Sequence, residues 1–213
     1  MTMLESLTKE HVDKVVEVHI QAFPESQSTK FGKDFLKSYY GGAAGSPHTT
    51  SFVWKVDGKV AGFIFGGTNK KELSRQIMMS SKAKLAKAVI TNVLRDPINS
   101  IKRFWSYLVH YIMPGGDTFY ANDTATLDSV AILKEFRGQG IADKLIQAFL
   151  EQLKESGVSA CRLGVLGDNT LARRFYERNG FEQFNEDGTI YLYFFDDKHR
   201  ASYKTQTVKL NNE

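Results

Sequence analysis

Apolar positions along this chain change period several times, and each change marks an element. Two short apolar runs, Ser51 to Val56 and Lys59 to Phe65, flank Asp57-Gly58, a dipeptide suited to a tight hairpin turn. Leu127 to Leu133 is another apolar run of strand length. Beyond it Ile141, Leu145, Ile146, Phe149, Leu150 and Leu153 recur at helical spacing, with Asp143, Lys144, Gln152 and Glu155 on the other side. Ala160 to Val165 reads as a short strand, and a short helix follows, capped by Asp168 or Asn169 and ended by Gly180. Phe181 to Phe184 and Thr189 to Phe195 form a last strand pair around Asp187-Gly188. Upstream, Met3 to Leu7 is a first strand, and Thr8 caps a helix carrying Val12, Val15, Val16, Val18, His19 and Phe23 that Pro24 ends. Lys33 to Tyr40 is a second helix, stopped by Gly41-Gly42, and Thr205 to Glu213 is a loose tail.

The turn between the strand ending at Leu133 and the helix starting near Ile141 carries chemistry. It reads Arg137-Gly138-Gln139-Gly140-Ile141-Ala142. A glycine-rich turn into a helix leaves several N–H groups unpaired, and the helix dipole adds positive potential, so the turn suits a phosphate or pyrophosphate. Without a Cβ, Gly138 and Gly140 let the main chain come close to such a ligand. A P-loop would need Gly-Lys-Ser/Thr, yet Gly140 is followed by Ile141 and Ala142. A dinucleotide fingerprint would need a third small residue where Asp143 stands and an acid at the end of the next strand, which closes on Gly164-Val165-Leu166.

A second block supplies the decision. In the helix after Asp168, Asn169, Ala172, Tyr176 and Gly180 recur at spacings of three and four, aligning Asn, Ala and Tyr on one side. Together the two blocks resemble the GNAT superfamily of acetyl-CoA-dependent N-acetyltransferases. The resemblance is close over Leu127 to Phe181 and looser elsewhere. Arg137, Gly140 and Ala142 meet the family's pyrophosphate motif, Gln/Arg-x-x-Gly-x-Gly/Ala. Asn169, Ala172, Tyr176, Gly180 and Phe181 meet its second motif. The resemblance implies an α/β fold of the GNAT acyl-CoA N-acyltransferase type, a mixed, mostly antiparallel central sheet flanked by helices.

It also implies roles. The backbone of Val130, Ala131 and Ile132 would pair with the pantetheine arm. The amides of Arg137, Gly138, Gln139, Gly140, Ile141 and Ala142 would hold the pyrophosphate, and Asn169, beside Ala172, would bond the pantetheine or nearby main chain. Tyr176 would protonate the departing sulfur, since a phenol of pKa ~10 is protonated at neutral pH and a thiolate of conjugate pKa ~8.5 is a fair leaving group. The bland alternative for Tyr176 is an aromatic packed under the sheet. Many family members place a basic Glu on the pantetheine strand, but no Glu lies between Asp117 and Lys134. Asp128 is the nearest carboxylate and the first candidate base; otherwise it is a strand-end residue bonded to main chain. Tyr120, Asp123 and His110 are weaker candidates.

Composition narrows the class. The chain has 213 residues, 42% of them hydrophobic, and fits one domain over residues 1–213, with a helical insertion at about 69–113 and a tail at about 200–213. Cys161 is the one cysteine, which excludes an intramolecular disulfide. The N-terminus lacks a signal-peptide core and no apolar run approaches the ~20 residues of a membrane span, so a cytoplasmic location is expected. The five histidines do not cluster with Cys or Asp, so no metal is expected.

The insertion holds nine Lys/Arg against two Asp/Glu, a local +7 within a chain of net +4. Leu85, Ala86, Val89, Ile90, Val93 and Leu94 share one side of a first helix in it, and Ile101, Phe104, Trp105 and Leu108 belong to the apolar stripe of a second. Three readings stand: a helical hairpin with a solvated basic face, a wall attracting an anionic acceptor such as a nucleotide-linked amino sugar, and a membrane-surface or partner-binding pair. Nucleic acid is the least supported partner, because exposed aromatics do not interleave the basic residues. The stripe suits a monomer's core or a homodimer equally. The leading function is acetyl transfer from acetyl-CoA to a primary amine of a small molecule, such as an amino sugar, or of a protein; the alternative is a non-catalytic acyl-CoA sensor or partner-binding module.

Overall fold

In the computed structural model the residues described are 2–69, 72, 73, 75, 76, 79 and 123–210, with side chains to 203 at the C-terminal end. The expected insertion, with its two amphipathic segments, and the candidates His110 and Tyr120 therefore lie almost wholly outside the described residues. At its start the Asn69 carboxamide accepts the Glu72 amide, and Leu73 is buried in the core.

The described strands form one seven-stranded sheet in the order β1-β2-β3-β4-β5-β7-β6. They are β1 (Thr2–Ser6), β2 (Thr49–Val56), β3 (Lys59–Gly67), β4 (Thr124–Ile132), β5 (Ala160–Gly164), β6 (Glu182–Gln183) and β7 (Ile190–Phe194). β4 and β5 run parallel, and every other neighbouring pair is antiparallel. The β2–β3 hairpin turns at Asp57 and Gly58, both at positive φ (48° and 78°), the backbone hand that matches strand twist. The predicted mixed, mostly antiparallel sheet is thus present.

Both faces of the sheet are covered. On one, α1 (Val12–Ala22) and α3 (Lys33–Ala43) pack Val15, Val16, Leu36 and Tyr40 against Val53, Phe63 and Phe65. On the other, α4 (Ile141–Glu155) packs Leu145, Ile146, Phe149 and Leu153 against Ala61, Ile64, Ala125 and Leu127. β3 is apolar on both sides because it lies between these two layers, as the alternation of its side chains requires. The remaining helices are α2 (Gln27–Lys30), α5 (Thr170–Arg178) and α6 (Asp197–Leu210).

Three local expectations are corrected. Thr8 caps a 3-10 turn, Lys9–His11, that feeds α1, and its backbone amide reaches the His11 ring. α1 ends at Ala22, before Pro24 as expected, and beyond it a short helix, α2, forms because the Ser26 hydroxyl accepts the Thr29 amide. Gly41-Gly42 does not stop α3, which runs on to Ala43. A helical glycine costs only about 1 kcal/mol, and burial of Tyr40 and Ala43 outweighs it. The chain turns instead at Gly45, at φ +82°. The expected tail is helical to Leu210: Asp196 caps α6 through the His199 amide, and buried Tyr203 bonds Thr124.

One buried polar cluster lies under the α1 side. His19 Nδ1 pairs with the Tyr40 hydroxyl at 2.7 Å and Nε2 with the Ser28 hydroxyl at 3.0 Å. Burial lowers the His19 pKa to about 4. An unfolded histidine titrates near ~6.5, so at intermediate pH the unfolded chain binds a proton that the folded one refuses. This contribution to stability is complete above pH ~6.5 and disappears as the pH falls toward 4, a swing of about 3 kcal/mol. Replacing His19 with Gln, which offers hydrogen bonds without a titrating charge, will flatten the decline of the urea midpoint between about pH 7 and about pH 4.5. An unchanged slope would assign the acid sensitivity elsewhere. A second outcome concerns Gly66, where a Cβ would clash with the Thr126 carbonyl and meet Phe149 at 2.9 Å. Gly66→Ala should cost roughly 2–3 kcal/mol in chemical denaturation.

Candidate active site

The cradle begins where β4 ends. A 3-10 turn, Lys134–Phe136, closes on itself, and Arg137 donates its amide to the Lys134 carbonyl. The next amide to bond a main-chain carbonyl is that of Lys144, on Gly140, while the Asp143 amide bonds its own carboxylate. Among the described residues, the amides of Gly138, Gln139, Gly140, Ile141 and Ala142 therefore meet no protein acceptor. Gly138 (φ +76°) and Gly140 (φ +72°) have the left-handed backbone that bends these amides round the start of α4. A Cβ at either would meet no atom within 4 Å, so on the protein side these glycines are needed for their backbone hand. Gln139 reaches back to the Glu135 carbonyl at 3.5 Å. Arg137 is exposed and donates Nε to the Ile132 carbonyl at 3.1 Å, tying the turn to the strand.

The strand itself has an open side. β4 pairs with β5 from Thr124↔Ala160 to Leu127↔Leu163 and no further. β5 stays with β7 beyond that point, through Gly164↔Ile190 and the Val165 amide on the Thr189 carbonyl. β4 stays with β3, through Phe65↔Ser129 to Gly62↔Ile132. The sheet therefore splits at Leu127 and Leu163. Opposite Phe65 and Gly66 the register skips Asp128, a bulge that sharpens the local twist and re-aims the strand. Val130, Ala131 and Ile132 lie beyond the split, on an edge with no neighbouring strand among the described residues.

Two side chains with proton chemistry sit near the split. Tyr176, on α5, is buried between Phe175 and Phe181, with ring centroids 5.2 and 5.7 Å away. Its hydroxyl has no hydrogen-bond partner among the described residues. Burial, with a smaller contribution from neighbouring Cys161, raises its pKa to about 12. Cys161 is fully buried, and burial followed by the Asp128 charge pushes its thiol well above the ordinary range. Cys161 thus lies within electrostatic reach of both Tyr176 and Asp128. From the α3 side, the Tyr39 hydroxyl donates to Asp128 Oδ2 at 3.5 Å. Tyr39 was not among the sequence candidates; its signal is the i, i+4 pairing with Phe35, whose ring stacks on it at 6.5 Å.

The α5 helix is fixed from several directions. Asn169 spends its side-chain oxygen on the Ala172 amide at 3.1 Å, capping the helix, with Ala172 half-buried one turn before Tyr176. Arg173 donates to the Tyr191 hydroxyl, the Gly167 carbonyl and Gln183, which locks α5 to β7 and the loop after β5. At its far end Arg178 and Asn179 both reach Asp143, in the first turn of α4. Asp123 is not part of this assembly. It lies five strand residues from Asp128, roughly 16 Å along β4, and faces His199. No cluster of His, Cys, Asp and Glu suited to a metal occurs among the described residues, and no helix there is long and apolar enough to cross a membrane.

Known proteins resemble this chain in sequence and in fold. A 67-residue stretch is 43% identical to N-alpha-acetyltransferase 30 of Schizosaccharomyces pombe, covering 32% of this chain and 43% of that protein. Another, of 61 residues, is 41% identical to the [ribosomal protein bS18]-alanine N-acetyltransferase of Haemophilus ducreyi, covering 29% of this chain and 42% of that one. The chain thus spans less than half the length of these curated relatives. In structure it is similar to the PaiA N-acetyltransferase of Thermoplasma acidophilum, solved with coenzyme A, at a TM-score of 0.58 and 15% identity over 92% of this chain and 99% of that one. Residues 12–181 match the acetyltransferase (GNAT) family as a whole, from α1 through the cradle to the end of α5, and the chain belongs to that family.

Proposed function

We propose that this protein transfers an acetyl group from acetyl-CoA to a primary amine by direct attack in a ternary complex. The observation that carries the reading is a convergence: among the described residues, a turn of unpaired amides, a strand edge freed by a bulge, and a buried phenol without a hydrogen-bond partner all adjoin the part of the sheet where β4 and β5 separate. The amides of Gly138 to Ala142 hold the diphosphate of the cosubstrate, the Arg137 amide being spent on the Lys134 carbonyl, and the edge of Val130 to Ile132 pairs with its pantetheine arm. Asn169 contributes by fixing the start of α5 beside that arm.

The chemistry then divides between two side chains. An alkylammonium of pKa ~10 must lose its proton before it can attack, and Asp128, steadied by Tyr39, accepts it. The neutral amine adds to the thioester carbonyl, and main-chain N–H groups of β4 near the bulge stabilise the oxyanion. Collapse of the adduct breaks the carbon–sulfur bond, and Tyr176 gives its proton to the departing sulfur. Because burial holds the phenol near 12, it stays protonated across the working range. The names of the two curated relatives refer to protein amino groups, which supports a protein α-amine as the first acceptor class to test and a small amine or amino sugar as the second.

Release of free coenzyme thiol with acetyl-CoA and a panel of peptide N-termini, amino sugars and polyamines tests the reading. Tight coenzyme binding without thiol release from any amine would make the protein an acyl-CoA sensor instead. Tyr176→Phe should lower kcat by about 100-fold or more with little change in coenzyme affinity. In the wild type, kcat/KM should climb with pH as the amine deprotonates, without a descending limb from Tyr176 below about 12. Asp128→Asn should lose about tenfold at neutral pH and recover as rising pH supplies free amine. A profile parallel to wild type would remove Asp128 as the base.

A further inference from the structure

The cradle contains a carboxylate that should repel its ligand. Asp143 is the third residue of α4, directly after the run of unpaired amides, and it competes with any diphosphate for the positive end of the helix. A negative charge one helical turn from a bound anion opposes binding. Yet the carboxylate is engaged: its Oδ1 accepts from Arg178 at 2.8 Å and from Asn179 at 3.0 Å. Asn179 is held in turn by the Phe175 carbonyl at 2.9 Å, and the Arg178 guanidinium lies over the Phe175 ring, 5.6 Å from its centroid. Burial alone would raise the Asp143 pKa, but hydrogen bonds from Arg178 and Asn179 and the Arg178 charge bring it below the usual carboxylate range, so Asp143 is ionised at neutral pH.

As a stabiliser this pair is weak, because the Arg178 side chain is 64% exposed and exposed pairs contribute little. Its position is more telling. It joins the start of the cradle helix to the end of the helix that carries Tyr176, and it sets a fixed cation beside the one acid in the cradle's first turn. Resting on the coenzyme reading above, we infer that Arg178 is a positioning residue for the cosubstrate: it neutralises and turns aside Asp143, leaving the amides of Gly138 to Ala142 to a diphosphate. Asn179 supports the same orientation of the carboxylate.

Calorimetric titration with coenzyme A, which needs no knowledge of the acceptor, tests this. Arg178→Gln should weaken binding by about tenfold at low salt, and the loss should shrink as salt screens the unmasked carboxylate. Arg178→Lys, which keeps the charge, should bind nearly as wild type. The deciding protein is Arg178→Gln with Asp143→Asn: removing the acid should bring affinity back to within about twofold of wild type. A merely structural role for Arg178 predicts no such rescue. Unchanged affinity in Arg178→Gln, or no recovery in the double variant, overturns the inference alone. Failure of the wild type to bind coenzyme A overturns the underlying function as well.

Discussion

A strand that loses a neighbour halfway along must find other partners for its remaining amides and carbonyls. In this protein β4 runs beside β5 for four residue pairs and then parts from it at Leu127 and Leu163. The parting has local causes. The bulge at Asp128 turns β4 away, and Gly66 lets β3 follow at a distance that a Cβ would not permit. β5 meanwhile remains bound to β7. Beyond the parting, β4 keeps β3 on one side and leaves its other main-chain edge to the proposed pantetheine arm. The other parts of the proposed site adjoin that parting: the cradle follows the end of β4, Asp128 sits at the bulge, and Tyr176 shares the core cluster of Leu127 and Leu163.

On both faces of the sheet, burial favours the neutral form of the enclosed titrating groups. His19 is held neutral by a lowered pKa, Tyr176 and Cys161 by raised ones. The interior thus carries hydrogen-bonding capacity without net charge, while Asp128 and Asp143 sit where hydroxyl, amide or guanidinium donors reach them. Neutral donors inside and compensated acids at the rim are consistent with the proposed site, which would take an anionic cosubstrate and keep a proton to give away.

Much of this was legible from residue order, for reasons that differ from part to part. The hairpin at Asp57-Gly58 and the helix from Ile141 follow from period and turn chemistry, which act over a few residues. The two motif blocks could be read because a turn of bare amides and a face of Asn, Ala and Tyr each need certain residue types at fixed spacing. What escaped depends on distant contacts. Gly41 and Gly42 stay helical because Tyr40 and Ala43 are buried against the sheet, a tertiary effect that overrides local propensity. The end helix persists through contacts of Tyr203 with Thr124 and the β5–β7 core. Tyr39 meets Asp128 across 89 residues, and Arg178 meets Asp143 across 35, separations at which no local pattern gives notice.

The sealed position of Cys161 has a practical side. It is the chain's one sulfhydryl, enclosed by the core and with little tendency to ionise at neutral pH. Colorimetric disulfide reagents should consequently meet almost no background from the folded protein itself. The same seclusion makes the molecule a ready host for a single fluorescent or spin tag, since a cysteine introduced on the surface would face no competing nucleophile of its own kind.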